Sequence, residues 1–276
     1  MSVHSLQAFV FASDLGNGNE ARVVVQESGG CSAAEMQRFA AEQAVPVVAF
    51  LQPQVGPWKV RFFTRRTELP YCGHGVLAAA SVALERQGVD SAVLVASSQQ
   101  VVVQRDGARV TALTTRPCEL TEEPRPDLVT ACFAWRSPQD ARLPIWRASI
   151  GSPKWLVPVS DLEALYAVEL DAARLTALGC EHGVNGVYMY TTSTNVAGVD
   201  AEARAFNPAS GANEDSATGV GAGALAWVLQ FATPQQTHYV VRQGRALGQD
   251  NQIIVDLGAD GTTRVGGNVK VGETHA

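Results

Sequence analysis

Tyr71-Cys72-Gly73-His74-Gly75 runs straight into Val76-Leu77-Ala78-Ala79-Ala80-Ser81-Val82-Ala83-Leu84. The pattern returns as Asp215-Ser216-Ala217-Thr218-Gly219, followed by Val220-Gly221-Ala222-Gly223-Ala224-Leu225-Ala226. Each is a glycine-rich turn opening an alanine-rich helix. Laid over each other, Cys72 falls on Ser216 and Gly75 on Gly219, both 144 positions apart. Phe62-Phe63-Thr64 and Ala205-Phe206-Asn207-Pro208 precede the turns at similar distances. The expectation is one structural unit used twice. A helix start presents unpaired N–H groups and the positive end of the helix dipole. Two such starts directed at one ligand suit a small anion such as a carboxylate.

Working outward, both helices are small or apolar nearly all round, so they should be buried nearly all round, each sheathed by a curved sheet. Gly221 and Gly223 each cost about 1 kcal/mol of helix propensity relative to Ala; close approach of surrounding backbone would compensate. Leu6–Phe11, Ala21–Val25 and Trp58–Phe63 read as strands, with a turn at Gly16 to Asn19. Ser32-Ala33-Ala34-Glu35 is a capping box whose helix should end near Val45, before Pro46. Residues 93–95, 99–104 and 108–113 form a meander, with Asp106-Gly107 at a hairpin. The Pro-rich stretch Pro117–Pro126 is the expected boundary. Beyond it Lys154–Val159, Gly186–Tyr190, Ala201–Phe206, His238–Arg242, Gln252–Val255 and Thr263–Val271 read as strands, and Ser160-Asp161-Leu162-Glu163 as a second capping box. The fold class is α+β. The halves are residues 1–117, with a C-terminal strand at 263–276, and residues 118–262.

Bulk properties narrow the function. The chain has 276 residues and a net charge of −6, which argues against a nucleic-acid surface. No run of eighteen apolar residues predicts a membrane span. The start Met1-Ser2-Val3-His4 shows no secretory pattern, and the five scattered cysteines suit a reducing cytoplasm better than a disulfide framework. No Cys-x-x-Cys or His-x-x-x-His spacing supports a metal site.

Phe-Thr-x-x-x-Glu-Leu-Pro followed by Cys-Gly-His-Gly (residues 63–75), Gly18-Asn19 and Glu214-Asp215-Ser216-Ala217-Thr218-Gly219 resemble the PhzF-like phenazine-biosynthesis isomerases, which share the diaminopimelate-epimerase fold. Gly151–Val157 and Arg242–Gly248 also resemble that family's later segments. The resemblance implies two pseudo-symmetric domains, each a sheet around a central helix, with the active site between them. It further implies cofactor-free proton movement on a small carboxylate-bearing metabolite, usually in a homodimer. Two departures stand out. Val47, in Pro46-Val47-Val48-Ala49-Phe50, stands where the family carries its general acid/base Glu, and Val220 stands where a Ser usually follows Thr-Gly.

The candidate residues each have a plainer alternative. Asp215 is either a helix-capping Asp or a proton carrier, and the resemblance implies the second. His74 is either a satisfied core histidine or a proton relay suited to neutral pH. Cys72 is either packing or, beside a helix start that lowers thiol pKa, a replacement for the missing Glu. Asn19 is either a turn residue or an amide reaching the substrate carboxylate. Gly73, Gly75, Ser216, Thr218 and Gly219 are expected to bind substrate, the glycines through their backbone N–H groups. Three functions compete: an isomerase, a binding protein that has lost catalysis, and an enzyme of altered chemistry such as a cyclase or tautomerase.

Overall fold

The computed structural model describes residues 5–13, 18–26, 30–97, 99–114, 117–135 and 143–273. The chain divides into two compact units, Met1–Thr114 with Gly266–Ala276, and Thr115–Val265. The first part of the turn expected at Gly16 to Asn19 lies outside the described residues.

The first unit runs β1 (Ser5–Val10), β2 (Asn19–Val25), α1 (Ala33–Glu42), β3 (Val48–Gln52), β4 (Trp58–Phe63), β5 (Glu68–Leu69), α2 (Gly73–Gln87), β6 (Ser91–Ala96), β7 (Gln99–Asp106) and β8 (Arg109–Thr114). β2 and β3 are parallel across α1, and β4 and β6 are parallel across α2. Antiparallel pairs β1–β2, β3–β4, β4–β5, β6–β7 and β7–β8 complete the sheet. The capping box at Ser32 and Glu35 opens α1. The helix stops at Glu42, earlier than expected, where Gln43 turns extended and its amide donates back to the Phe39 carbonyl. α1 packs on Val24, Val48, Phe50 and Phe63. By strand alternation Val23, Ala49 and Phe62 face the other side, that of α2. α2 touches β1 to β4 and β6 to β8, so residues 75–84 are buried on every side. Gly88 closes it in the left-handed conformation.

The second unit runs β9 (Glu119–Glu122), α3 (Pro126–Thr130), β10 (Phe133–Ala134), β11 (Trp146–Ser149), β12 (Lys154–Pro158), α4 (Leu162–Ala167), β13 (Glu169–Leu170), α5 (Ala172–His182), β14 (Val187–Thr191), β15 (Ala201–Phe206), β16 (Glu214–Asp215), α6 (Gly219–Ala232), β17 (His238–Gln243) and β18 (Asn251–Leu257). β19 (Thr263–Glu273) carries the chain back into the first unit, where it pairs with β1. The connections repeat those of the first unit. β12 and β14 are parallel across α4 and α5, and β15 and β17 are parallel across α6. Trp155, Val157, Val187, Met189 and Phe206 pack on the outer face with Val129, Leu165 and Leu175 from α3 to α5. The opposite face carries α6 on β11, β12 and β18.

Three expectations need correcting. α4 is capped by Asp161, whose carboxylate accepts the Ala164 N–H, rather than by Ser160, whose hydroxyl donates to Asp161. A carboxylate is the stronger acceptor, and the helix starts one residue later. Gly221 and Gly223 make room for side chains rather than backbone. A Cβ on Gly221 would lie 2.4 Å from the Tyr188 ring, and one on Gly223 2.4 Å from Ile150 Cδ1.

The third correction is the register of the repeat. Phe62 and Phe63 pair with Leu69 and Glu68 as Ala205 and Phe206 pair with Asp215 and Glu214. Arg61 grips Glu68 and lies over Phe63; Arg204 grips Glu214 and lies over Phe206. Both helices then start at glycine, with Cys72 and Thr218 as N-caps, 146 positions apart. Cys72 therefore corresponds to Thr218, not Ser216. The overlay in sequence matched glycines and missed the longer loop between β15 and β16, which spans residues 207–213 against 64–67 between β4 and β5.

Candidate active site

In the first turn Cys72 is the N-cap of α2 in extended backbone, and its side chain makes no capping bond. Its Sγ lies 3.5 Å from His74 Nδ1, so thiol and imidazole share a proton contact whose direction follows the tautomer. The Val76 N–H returns to the Cys72 carbonyl at 2.8 Å. Gly75 is dictated by packing, because a Cβ there would lie 2.8 Å from the Phe62 ring. Gly73 is not; a Cβ there would meet nothing within 4 Å. Burial pushes the neighbouring Tyr71 phenol up to about 12, with the Cys72 charge adding to it, so Tyr71 stays protonated at neutral pH.

Asn19 opens β2 opposite Val10 and is 2% exposed. Gly18 before it has φ +89°, and a Cβ there would lie 2.7 Å from the Val10 carbonyl oxygen, so only glycine fits. Val47 precedes β3, is 1% exposed, and accepts the Arg22 N–H on its carbonyl. Alternation from Val24 and Val48 places Asn19 and Val47 on the α2 face.

In the second turn Asp215 ends β16, three residues before the N-cap. Its Oδ2 accepts the Thr218 hydroxyl at 2.6 Å. Gln243, 1% exposed at the end of β17, ties the turn together. Its Nε2 donates to the Asp215 carbonyl and to Thr218 Oγ1, while its Oε1 accepts the Thr218 N–H and the Tyr188 hydroxyl. Asn251 Nδ2 holds the Ser216 carbonyl at 2.7 Å. The Thr218 N–H is thus taken, and the Gly221 N–H returns to the Thr218 carbonyl. Among the described residues, Gly219 and Val220 are the first-turn N–H groups of α6 shown with no protein acceptor. Of the N–H groups expected to face an anion, that of Thr218 is therefore occupied by Gln243.

Lys154 of β12 is a buried charged residue in the same unit. It is 3% exposed and its Nζ donates to the Asn185 carbonyl. Burial pushes its pKa down to about 8, against the attraction of Asp215. Burial and the Asp215 charge hold the Tyr188 phenol well above its usual value. Neither Lys154 nor Gln243 carried a role in the sequence. The available signal was a lone lysine opening the otherwise apolar run Trp155–Pro158, all of it buried. Each unit thus brings its own candidates together: Cys72 with His74, and Asp215 with Thr218. Among the described residues no group of three His, Cys, Asp or Glu is placed to hold a metal ion, and no helix is long and apolar enough to cross a membrane.

Residues 9–271 match the family described as phenazine biosynthesis-like protein. The chain is 30% identical over 262 residues to "Uncharacterized isomerase YddE" of Escherichia coli O157:H7, covering 90% of this chain and 87% of that one. Among solved structures it is similar to the PhzF-family phenazine biosynthesis protein of Bacillus anthracis, at TM-score 0.85 and 20% identity over all of both chains. It is also similar to the predicted epimerase PA4716 of Pseudomonas aeruginosa, at TM-score 0.80 and 26% identity over all of both chains. The chain belongs to the phenazine biosynthesis-like family, with the fold of its PhzF members, and its relatives support an isomerase-type role.

Proposed function

We propose that this protein moves a proton within a small carboxylate-bearing metabolite, of amino-acid-like or secondary-metabolite type, using no cofactor. The observation that carries the reading is the matched pair of N-caps. At each buried helix start the N-cap side chain touches a proton-carrying group, Cys72 on His74 and Thr218 on Asp215. In each unit the open N–H groups at the helix start suit a carboxylate, as does the Asn19 amide of the first unit. Asp215, fixed by the Thr218 hydroxyl, takes a proton from carbon next to that carboxylate. The electron pair left behind delocalises toward that carboxylate, and the protonated Asp215, in exchange with solvent, returns a proton at a different carbon. Valine at position 47 cannot carry a proton, so this proton traffic favours isomerisation over two-base racemisation. The five free cysteines support a cytoplasmic setting, and the family resemblance supports a homodimer.

The test is solvent exchange. The protein is incubated in deuterated water with a panel of small amino and conjugated acids, and products are followed by mass and NMR. Deuterium incorporation with a rearrangement of otherwise unchanged mass supports the reading; none across the panel overturns it. The buried isopropyl group of Val47 favours a second reading, a protein that binds such carboxylates without turning them over. Tight binding with no exchange, in both wild type and Val47→Glu, would select it.

A further inference from the structure

We propose that Gln243 is a positioning residue that aims the Thr218 hydroxyl at Asp215. The inference rests on the reading of Asp215 as proton carrier. Every bond of the Gln243 amide has a forced direction. The Thr218 N–H can only donate, and it lies 3.0 Å from one end of the amide, which must therefore be the oxygen. The Tyr188 hydroxyl, held protonated by burial, donates to the same oxygen at 3.0 Å. The other end is then the NH2 group, 2.7 Å from the Asp215 carbonyl, which can only accept, and 3.2 Å from Thr218 Oγ1. A flipped amide would set donor against donor at the Thr218 N–H and acceptor against acceptor at the Asp215 carbonyl. The amide nitrogen offers the Thr218 hydroxyl no acceptor, so the hydroxyl hydrogen goes to Asp215 Oδ2, 2.6 Å away. Gln243 is itself locked in place. Tyr239, Val241 and Gln243 alternate onto the α6 face of β17, each 1% exposed or less. Gly244 has φ +101°, and a Cβ there would lie 2.7 Å from the Ser216 carbonyl oxygen, so the strand ends pressed against the turn. A group that takes a proton from carbon must keep its line of approach, and about 1 Å of misplacement costs about 10²-fold.

The repeat shows that the fold does not need this frame. Ala49 pairs with Phe62 as Tyr188 pairs with Ala205, and Val60 pairs with Ala96 as Ala203 pairs with Gln243. Tyr188 therefore falls on Ala49 and Gln243 on Ala96, both fully buried. By the same pairings Asp215 falls on Leu69, and Lys154 on Ala21. The half that carries the acid also carries the amide and the phenol. The half with leucine in the acid's place has alanine in both of theirs. A buried amide costs free energy unless its bonds are made. Those of Gln243 all end on the Asp215 turn or on the phenol that fixes the amide.

The test begins with the full chain, labelled with 13C and 15N, without substrate. Wild type should show a coupling through the hydrogen bond between the Thr218 amide nitrogen and Gln243 Cδ. Its three-bond couplings to Thr218 Cγ2 should report a single χ1 rotamer. In Gln243→Met, which keeps the volume and removes the bonds, the Thr218 side chain should average over rotamers. The wild-type spectra decide even if that variant fails to fold, because a missing coupling or an averaged Thr218 overturns the proposal. So does a Thr218 that keeps one rotamer in folded Gln243→Met. Solvent exchange on the panel of small amino and conjugated acids then separates positioning from plain structure. Gln243→Met and Thr218→Val should each slow exchange about tenfold, the scale of one hydrogen bond. The double variant should be no slower than Thr218→Val, because both changes act through one hydroxyl. Losses that multiply would mean that Gln243 acts elsewhere, and would overturn the proposal. A frame that holds in wild type and loosens in Gln243→Met, with no exchange on any carboxylate, sinks the isomerase reading and leaves the placing of the hydroxyl standing.

Discussion

Cys72 and Thr218 occupy the same place in two copies of one device, yet they do different things there. Each is the N-cap of a buried helix that starts at glycine, and neither side chain caps its helix. Behind Thr218 stands a fixed hydrogen-bond frame of Gln243, Tyr188 and Asn251, with an acid in front. Beside Cys72 lies Gly75, packed on the ring of Phe62, with an imidazole two residues on. The second turn is thus a charged, held site and the first a softer thiol–imidazole site. The backbone repeat supplies helix starts; the side chains make the two starts chemically different.

The comparison breaks most readily at the acids. Asp215→Asn should lower exchange turnover by about 10² to 10⁴-fold with folding intact, since general acid–base groups contribute on that scale. If the first turn carries protons too, Cys72→Ala should fall comparably and wild-type activity should be lost on thiol alkylation. If Cys72 only packs, activity should survive both treatments and the two turns are not functional equivalents.

The ion pairs sharpen it next. Arg204 and Glu214 are 12% and 11% exposed, whereas Arg61 and Glu68 are 37% and 39% exposed. Arg204 also donates to the Leu165 and Val168 carbonyls. Removing one partner of a buried pair strands the other charge, so Glu214→Gln should cost about 3–5 kcal/mol by denaturant unfolding. Glu68→Gln should cost about 1 kcal/mol or less. Equal costs would mean that the repeat is energetically symmetric.

Lys154 has no titrating counterpart at Ala21, so its linkage belongs to the second unit alone. Its folded pKa of about 8 lies below the ordinary 10.5. Between these values the unfolded chain binds more protons, so stability rises with pH through that window, by at most about 3 kcal/mol. Lys154→Met should flatten this rise, as urea unfolding at pH 7.5 and 10 would show. A wild type whose stability does not rise over that range would contradict the buried ammonium.

The glycines give the smallest effect. Gly221→Ala drives a methyl into the Tyr188 ring and should cost about 1–3 kcal/mol, as overpacked cores do. Gly73→Ala meets open space and should leave stability within about 1 kcal/mol, while weakening carboxylate binding if the N–H groups there hold the ligand.

The sequence carried the parts of the fold that depend on local pattern. The alternation of Trp58–Phe63 and Ala201–Phe206 set those strands to the residue, and the apolar run at 75–84 marked the helix buried all round. What escaped depends on pairing between distant segments. The register of the repeat is set by loop length between paired strands, which a glycine match cannot see. Gln243 and Lys154 matter because β15 and β17, and β12 and β14, lie side by side. Neither residue is unusual in its own stretch of chain. Cys72, His74 and Asp215 stood out as candidates because glycine punctuation marks their turns; their contacts with each other and with Thr218 were not legible.

The most direct test of the account follows deuterium from solvent into a panel of small carboxylates by NMR, with wild type and Asp215→Asn side by side at pH 7. The account predicts incorporation at one carbon and a rearranged product of otherwise unchanged mass in wild type, both lost in Asp215→Asn. Incorporation undiminished in Asp215→Asn, or none in the wild type with any member of the panel, would contradict it.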